Sequence, residues 1–150
     1  MTMTLISQSN LTKKIKSLLG TGAITLFLSV DPVPASRPRV TRWGTYYGKT
    51  YERFRREVKD ILNNIVEKNT QTDTPIFAII EVVKQPPKTV SRQFPRGDVD
   101  NYAKGPLDSM TTDGNFWKDD DQIIALYVTK RYALPEEKEG IQITYKPIEV

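Results

Sequence analysis

Apolar positions recur along this chain with two periods, and the changes of period mark its elements. Leu11, Ile15 and Leu18 fall at i, i+4 and i+7. They predict a short amphipathic helix capped by Ser9 or Asn10. Lysines interrupt this segment, so it reads as an accessory terminal helix and not as a signal peptide. Ala23 to Val30, AITLFLSV, predicts a buried strand, and the prolines of DPVPASRP stop it. Tyr51, Phe54, Val58, Ile61, Leu62, Ile65 and Val66 recur at helical spacing from about Thr50 to Lys68, the clearest amphipathic helix in the chain. A second strand is expected over Ile76 to Val83, IFAIIEVV. A third follows over Ile123 to Tyr132, and a half-buried one where Ile141, Ile143 and Tyr145 alternate with polar residues. The last two strands are expected to pair as an antiparallel hairpin. No internal repeat or linker divides residues 23–150, which read as one domain preceded by an extension over residues 1–22.

Between the first strand and the long helix the pattern fails. RPRVTRWGTYYGKT instead interleaves Arg37, Arg39, Arg42 and Lys49 with Trp43, Tyr46 and Tyr47. Long cations suit phosphates and aromatic faces suit bases or sugars, while a β-hairpin with an aromatic ladder around Gly44 accounts for the same residues. One hairpin can satisfy both readings. Gln85 to Gly97 is a second aperiodic loop, basic and proline-bearing.

Composition narrows the chemistry. Among 150 residues there is no Cys and no His, which removes disulfides, thiolate sites, Ser-His-Asp triads and His-based nucleases. Acid–base work falls to carboxylates, Lys, Tyr or metal-activated water. No apolar run approaches the roughly 18 residues of a membrane span, and a cytoplasmic location is expected. The net charge is only +4, but its distribution is uneven. Pro32 to Asp60 holds eight bases and three acids, Lys84 to Arg96 four bases and no acid, and Asp98 to Asp121 seven acids and two lysines. Basic segments flanking an acidic one suit a polyanion held over a cation site, or a surface of dispersed solvated charge.

The acidic stretch, RGDVDNYAKGPLDSMTTDGNFWKDDDQ, carries the candidate chemistry. In extended backbone Asp98 and Asp100 would share a side, about 6 to 7 Å apart along the chain. Oxygen-only ligands suit Mg²⁺ or Mn²⁺. Asp100 or Asn101 can instead cap a helix through Tyr102, Leu107 and Met110, which Pro106 is expected to kink. Lys104 can pair with Asp100 at i, i+4. Phe116 and Trp117 read as core anchors that set the height of Asp119, Asp120 and Asp121 against the sheet. The spacing of an EF-hand loop is absent.

Asp98, Asp100 and Asn101 followed by Lys104 and Asp108, then Phe116, Trp117, Asp119, Asp120 and Gln122, form a combination that resembles the RusA-type Holliday junction resolvases. The basic segment after the first strand is similar as well, so the resemblance runs from about Ala23 to the C-terminus. It implies α+β subunits, with a small mixed sheet of about four strands packed against two main helices, assembled as a homodimer on branched, four-way DNA. It implies Mg²⁺-dependent paired nicking, with Mn²⁺ able to substitute. Position by position, Asp98, Asp100 and Asp120 fall on the family's catalytic, metal-binding acids and Lys104 on its catalytic lysine; Asp108 matches a further recurrent acid. DNA contact is expected from Arg37, Arg39, Arg42, Lys49, Lys88, Arg92 and Arg96. A branched-DNA-binding protein without catalysis, or a nuclease for flap or fork DNA, would share these features.

Overall fold

The computed structural model describes residues 3–46, 48–65 and 71–150. The elements run α1 (Gln8–Ser17), β1 (Ile24–Leu28), β2 (Arg39–Thr41), β3 (Gly44–Tyr46), α2 (Lys49–Asn63), β4 (Ile76–Lys84), α3 (Val99–Thr112), β5 (Ile123–Tyr132) and β6 (Gly140–Pro147). This is an α+β fold, a mixed four-stranded sheet in the order β1-β6-β4-β5 with β2 and β3 as a separate hairpin. α2 ends at Asn63, short of the expected Lys68; Val66 and Tyr47 of the basic hairpin lie outside the described residues.

β4 is the centre of the sheet because it is apolar on both faces. Ile76, Ala78, Ile79, Ile80 and Val82 are all fully buried, each large one contributing about 1.5–3 kcal/mol over exposure. It pairs antiparallel with β6 and parallel with β5. The expected β5–β6 hairpin is therefore not formed, since β4 lies between the two strands. The parallel pair requires a crossover, and α3 supplies it. One face of the sheet presents Ala78, Ile80, Val82, Ile141, Ile143 and Tyr145 to Tyr51, Phe54, Val58 and Leu62 of α2 and to Tyr102, Ala103 and Met110 of α3.

α1 lies against residues of opposite parity on the sheet. The Thr12 hydroxyl meets the Tyr127 hydroxyl at 3.0 Å, and Lys16 reaches Gln142 at 3.0 Å and Glu81 at 2.5 Å. Its buried side is thus Thr12 with half-buried Ile15 and Lys16, whereas Leu18, expected on the apolar stripe, is exposed. Its cap is Ser7, which accepts from the Asn10 amide, and not Ser9 or Asn10. Polar partners on β5 and β6 rotate the helix away from its leucines.

α3 continues through Pro106 and starts earlier than expected. Asp98 occupies the cap position with extended backbone, so Asp100 lies inside the first turn and the two do not share one side of a strand. Gly105 and Pro106 are buried, and Gly105 faces Phe54 and Tyr51 of α2. A Cβ on Gly105 would stand 2.9 Å from the Phe54 ring, so this glycine sets the helix spacing.

Candidate active site

Two carboxylates meet where the middle of α3 faces the 3₁₀ turn Asp120–Gln122 that leads into β5. They are Asp108 and Asp120. Asp108 sits four residues past Lys104 on α3, and Lys104 Nζ lies 3.7 Å from its Oδ2. From α2, the Arg55 guanidinium lies 3.8 Å from Asp108 and 4.0 Å from Asp113, while its Nε donates to Ser109 Oγ at 3.0 Å. The Asp108 carboxyl is pushed above the usual carboxylate range, first by burial and then by its hydrogen bond with Asp120. The Asp120 charge adds to this, against the lowering pull of Lys104 and Arg55.

Asp120 is held from below. The indole N–H of Trp117 donates to Asp120 Oδ1 at 3.4 Å, and the Thr111 hydroxyl donates to the same oxygen. Trp117 is itself fully buried, edge-on to Tyr145 of β6. Asp119 and Gln122 close the turn as a capping box: Asp119 accepts from the Asp121 amide at 2.9 Å, and Gln122 accepts from the amides of Lys118 and Asp119. The Gln122 amide also donates to the Thr72 and Thr74 carbonyls, fixing the turn to the strand entering β4. Of the three consecutive acids, only Asp120 is held toward Asp108 by hydrogen-bonding side chains.

Asp98 and Asp100 stand at the other end of α3. Both are exposed, and Asp98 makes no capping bond through its side chain. Asp100, Lys104 and Asp108 follow at intervals of four on one helical stripe, with about 12 Å of axial rise from first to last. Lys104 accordingly pairs with Asp108, and no ion pair with Asp100 is formed among the described residues. Nor do three acids stand close enough among those residues to hold a metal ion. The donor set nevertheless fits a hard divalent cation: it is all oxygen, and the raised Asp108 carboxyl marks two crowded acids that added positive charge would relieve.

The basic residues fall on the segments that lead into α2 and α3. Arg37, Arg39, Arg42, Lys49, Lys88 and Arg96 are exposed, and Arg92 is half-buried over the Phe94 ring at 4.6 Å. A cleft of about 470 Å³ opens beside the start of α3, lined by Pro34, Lys84, Arg92, Arg96, Tyr102 and Tyr132 among others. The loop forming its rim is anchored by Lys130, whose Nζ donates to the carbonyls of Pro95 and Gly97. The Tyr102 hydroxyl, its pKa raised above the usual phenol range by burial and by nearby Asp31, donates to the Arg96 carbonyl at 2.6 Å. Arg55 was absent from the sequence candidates, although its position was a signal: it follows buried Tyr51 by four residues and precedes buried Val58 by three.

No curated protein matches the chain. A family model described as endodeoxyribonuclease RusA matches residues 29–144, which span β2 through most of β6 and include every acid and base of the site just described. The chain belongs to the RusA endodeoxyribonuclease family.

Proposed function

We propose that this protein is a Mg²⁺-dependent endonuclease that resolves Holliday junctions by paired nicks in DNA recombination and repair. It acts as a cytoplasmic homodimer whose two-fold axis matches that of the four-way junction. Residues 23–150 form the nuclease unit and residues 1–22 an appended segment. The observation that carries this reading is the meeting of Asp108 and Asp120 beside Lys104, on the helix that begins with Asp98 and Asp100.

In this reading Asp98, Asp100 and Asp120 are the ligands of Mg²⁺ or Mn²⁺; Asp120 stands with Asp108, and Asp98 and Asp100, at the other end of α3, would have to approach it when the ion binds. The bound ion supplies Lewis acidity toward phosphate oxygens and activation of water. The chain's own side chains do the rest. Trp117 and Thr111 orient Asp120 by hydrogen bonds to Oδ1. Lys104, with 57% of its side chain exposed, turns from Asp108 to the scissile phosphate and offsets charge that develops there. Arg37, Arg39, Arg42, Lys49, Lys88, Arg92 and Arg96 bind the strands' backbones on either side.

Asp120→Asn keeps the shape of the turn and removes one charge. It should bind a synthetic four-way junction as the parent does and cut it on the order of a hundredfold more slowly or worse. Cutting at the parent rate would remove Asp120 from catalysis and favour a binding protein. Equal cutting of flaps and junctions would move the substrate to fork or flap DNA.

A further inference from the structure

We infer that Trp43 is a base-stacking wedge that takes an unstacked nucleobase at the branch point of the DNA. This rests on the junction-nuclease reading and adds a residue that selects branched over linear substrate. Trp43 and Arg42 form the two-residue tip of the β2–β3 hairpin, between the paired residues Thr41 and Gly44. The Thr41 hydroxyl donates to the Gly44 carbonyl and accepts from the Trp43 amide, both at 3.2 Å, so the tip is braced from within. Gly44 takes φ 128°, a conformation that side-chain-bearing residues rarely adopt.

The tip is built to present an aromatic surface. Trp43 is 84% exposed and Val40 on the same hairpin 80%, whereas the chain's other indole, Trp117, is 0% exposed. The Arg42 guanidinium lies 4.8 Å from the centre of the Trp43 ring, backing one face with a cation and leaving the other open. No acid occurs between Pro32 and Thr50, while Arg37, Arg39, Arg42 and Lys49 all fall there. That charge complements a nucleic acid and opposes a basic protein surface.

The hairpin is rooted at the first turn of α3, which is capped by Asp98 and carries Asp100. The Ala35 amide donates to the Asn101 carbonyl of α3 at 2.8 Å, and Pro34 packs close to Gly97. Eight residues separate Ala35 from Trp43, so the indole lies within roughly 27 Å of the first turn of α3. That is less than one turn of duplex, about 34 Å. Inside a duplex each base is covered on both faces by its neighbours and offers nothing to an indole. At a branch point stacking is interrupted, and an indole can complete it.

The test uses the full chain in EDTA with a four-way junction carrying 2-aminopurine at a branch nucleotide, and a linear duplex of equal length. Wild type and Trp43→Phe should change the 2-aminopurine emission, and Trp43→Ala should not. Trp43→Ala should lose about tenfold in junction affinity and keep its duplex affinity within about twofold. An equal loss on both DNAs, or a change of 2-aminopurine emission by Trp43→Ala as large as that by wild type, would overturn the wedge while leaving the nuclease reading in place. A change of oligomeric state in Trp43→Ala would instead assign the indole to a protein contact. Absence of junction binding by wild type would overturn both.

Discussion

Lys104 takes Asp108 as its carboxylate, and that partnership separates the acids of α3 into two kinds. Asp98 and Asp100 are exposed, with no ion pair or side-chain hydrogen bond among the described residues, whereas Asp108 is half-buried between two cations and a second acid. A carboxyl whose pKa is raised in the folded state costs stability once it ionises, so the cost is present at neutral pH and relieved as pH falls. Asp108→Asn should therefore leave the melting temperature at pH 7 unchanged or raise it by a few degrees, while junction cutting falls. A clear loss of stability would mean that the pairing with Lys104 and Arg55 outweighs burial. Asp108 was legible in sequence only as a match to a further recurrent acid of the family the chain resembles. Its central place depends on Arg55, more than fifty residues earlier, and no local pattern reports a contact of that range.

At the scale of elements, the site depends on how closely α3 can approach α2. Gly105→Ala would put a Cβ 2.9 Å from Phe54 and 3.2 Å from the Tyr51 hydroxyl. Overpacking of this kind should cost about 1–3 kcal/mol in chemical unfolding and, by shifting α3, lower cutting as well. Unchanged stability would show that the Phe54 ring yields easily. The β5–β6 connection is held differently, by a two-pronged pair in which Arg131 reaches Glu137 at 2.6 and 2.7 Å. The hydrogen bond with Arg131 is the main cause that lowers Glu137 from 4.5 to about 2. Its contribution is fully present above the ordinary value of 4.5 and is lost as pH falls toward 2. Because both side chains are about one-third exposed, solvent limits the pair to about 1 kcal/mol. Glu137→Gln should lose that much at pH 7 and match wild type near pH 2; a constant difference across this range would assign the effect to packing.

For the whole molecule, the elements were read from periodicity far better than their arrangement. β5 was bounded correctly from Ile123 to Tyr132, and β4 differs from expectation by one residue. Their order was not, because adjacency in sequence suggested a hairpin where β4 intervenes. A physical signal was available: a strand apolar on both faces, as IFAIIEVV is, needs neighbours on both edges and cover on both sides. The hairpin around Gly44 and the anchoring role of Trp117 were legible because each depends on a few adjacent residues. The meeting of α2, α3 and the 3₁₀ turn at Asp108 was not, since it joins three separated segments.

The most direct measurement is cleavage of a synthetic four-way junction by the full chain, with Mg²⁺ and with EDTA, each strand labelled in turn. Two nicks at symmetry-related positions are expected in Mg²⁺, leaving 5′-phosphate and 3′-hydroxyl ends, with no cutting in EDTA and none of linear duplex. Cutting that persists in EDTA, or that proceeds equally on linear duplex, would contradict the proposed function.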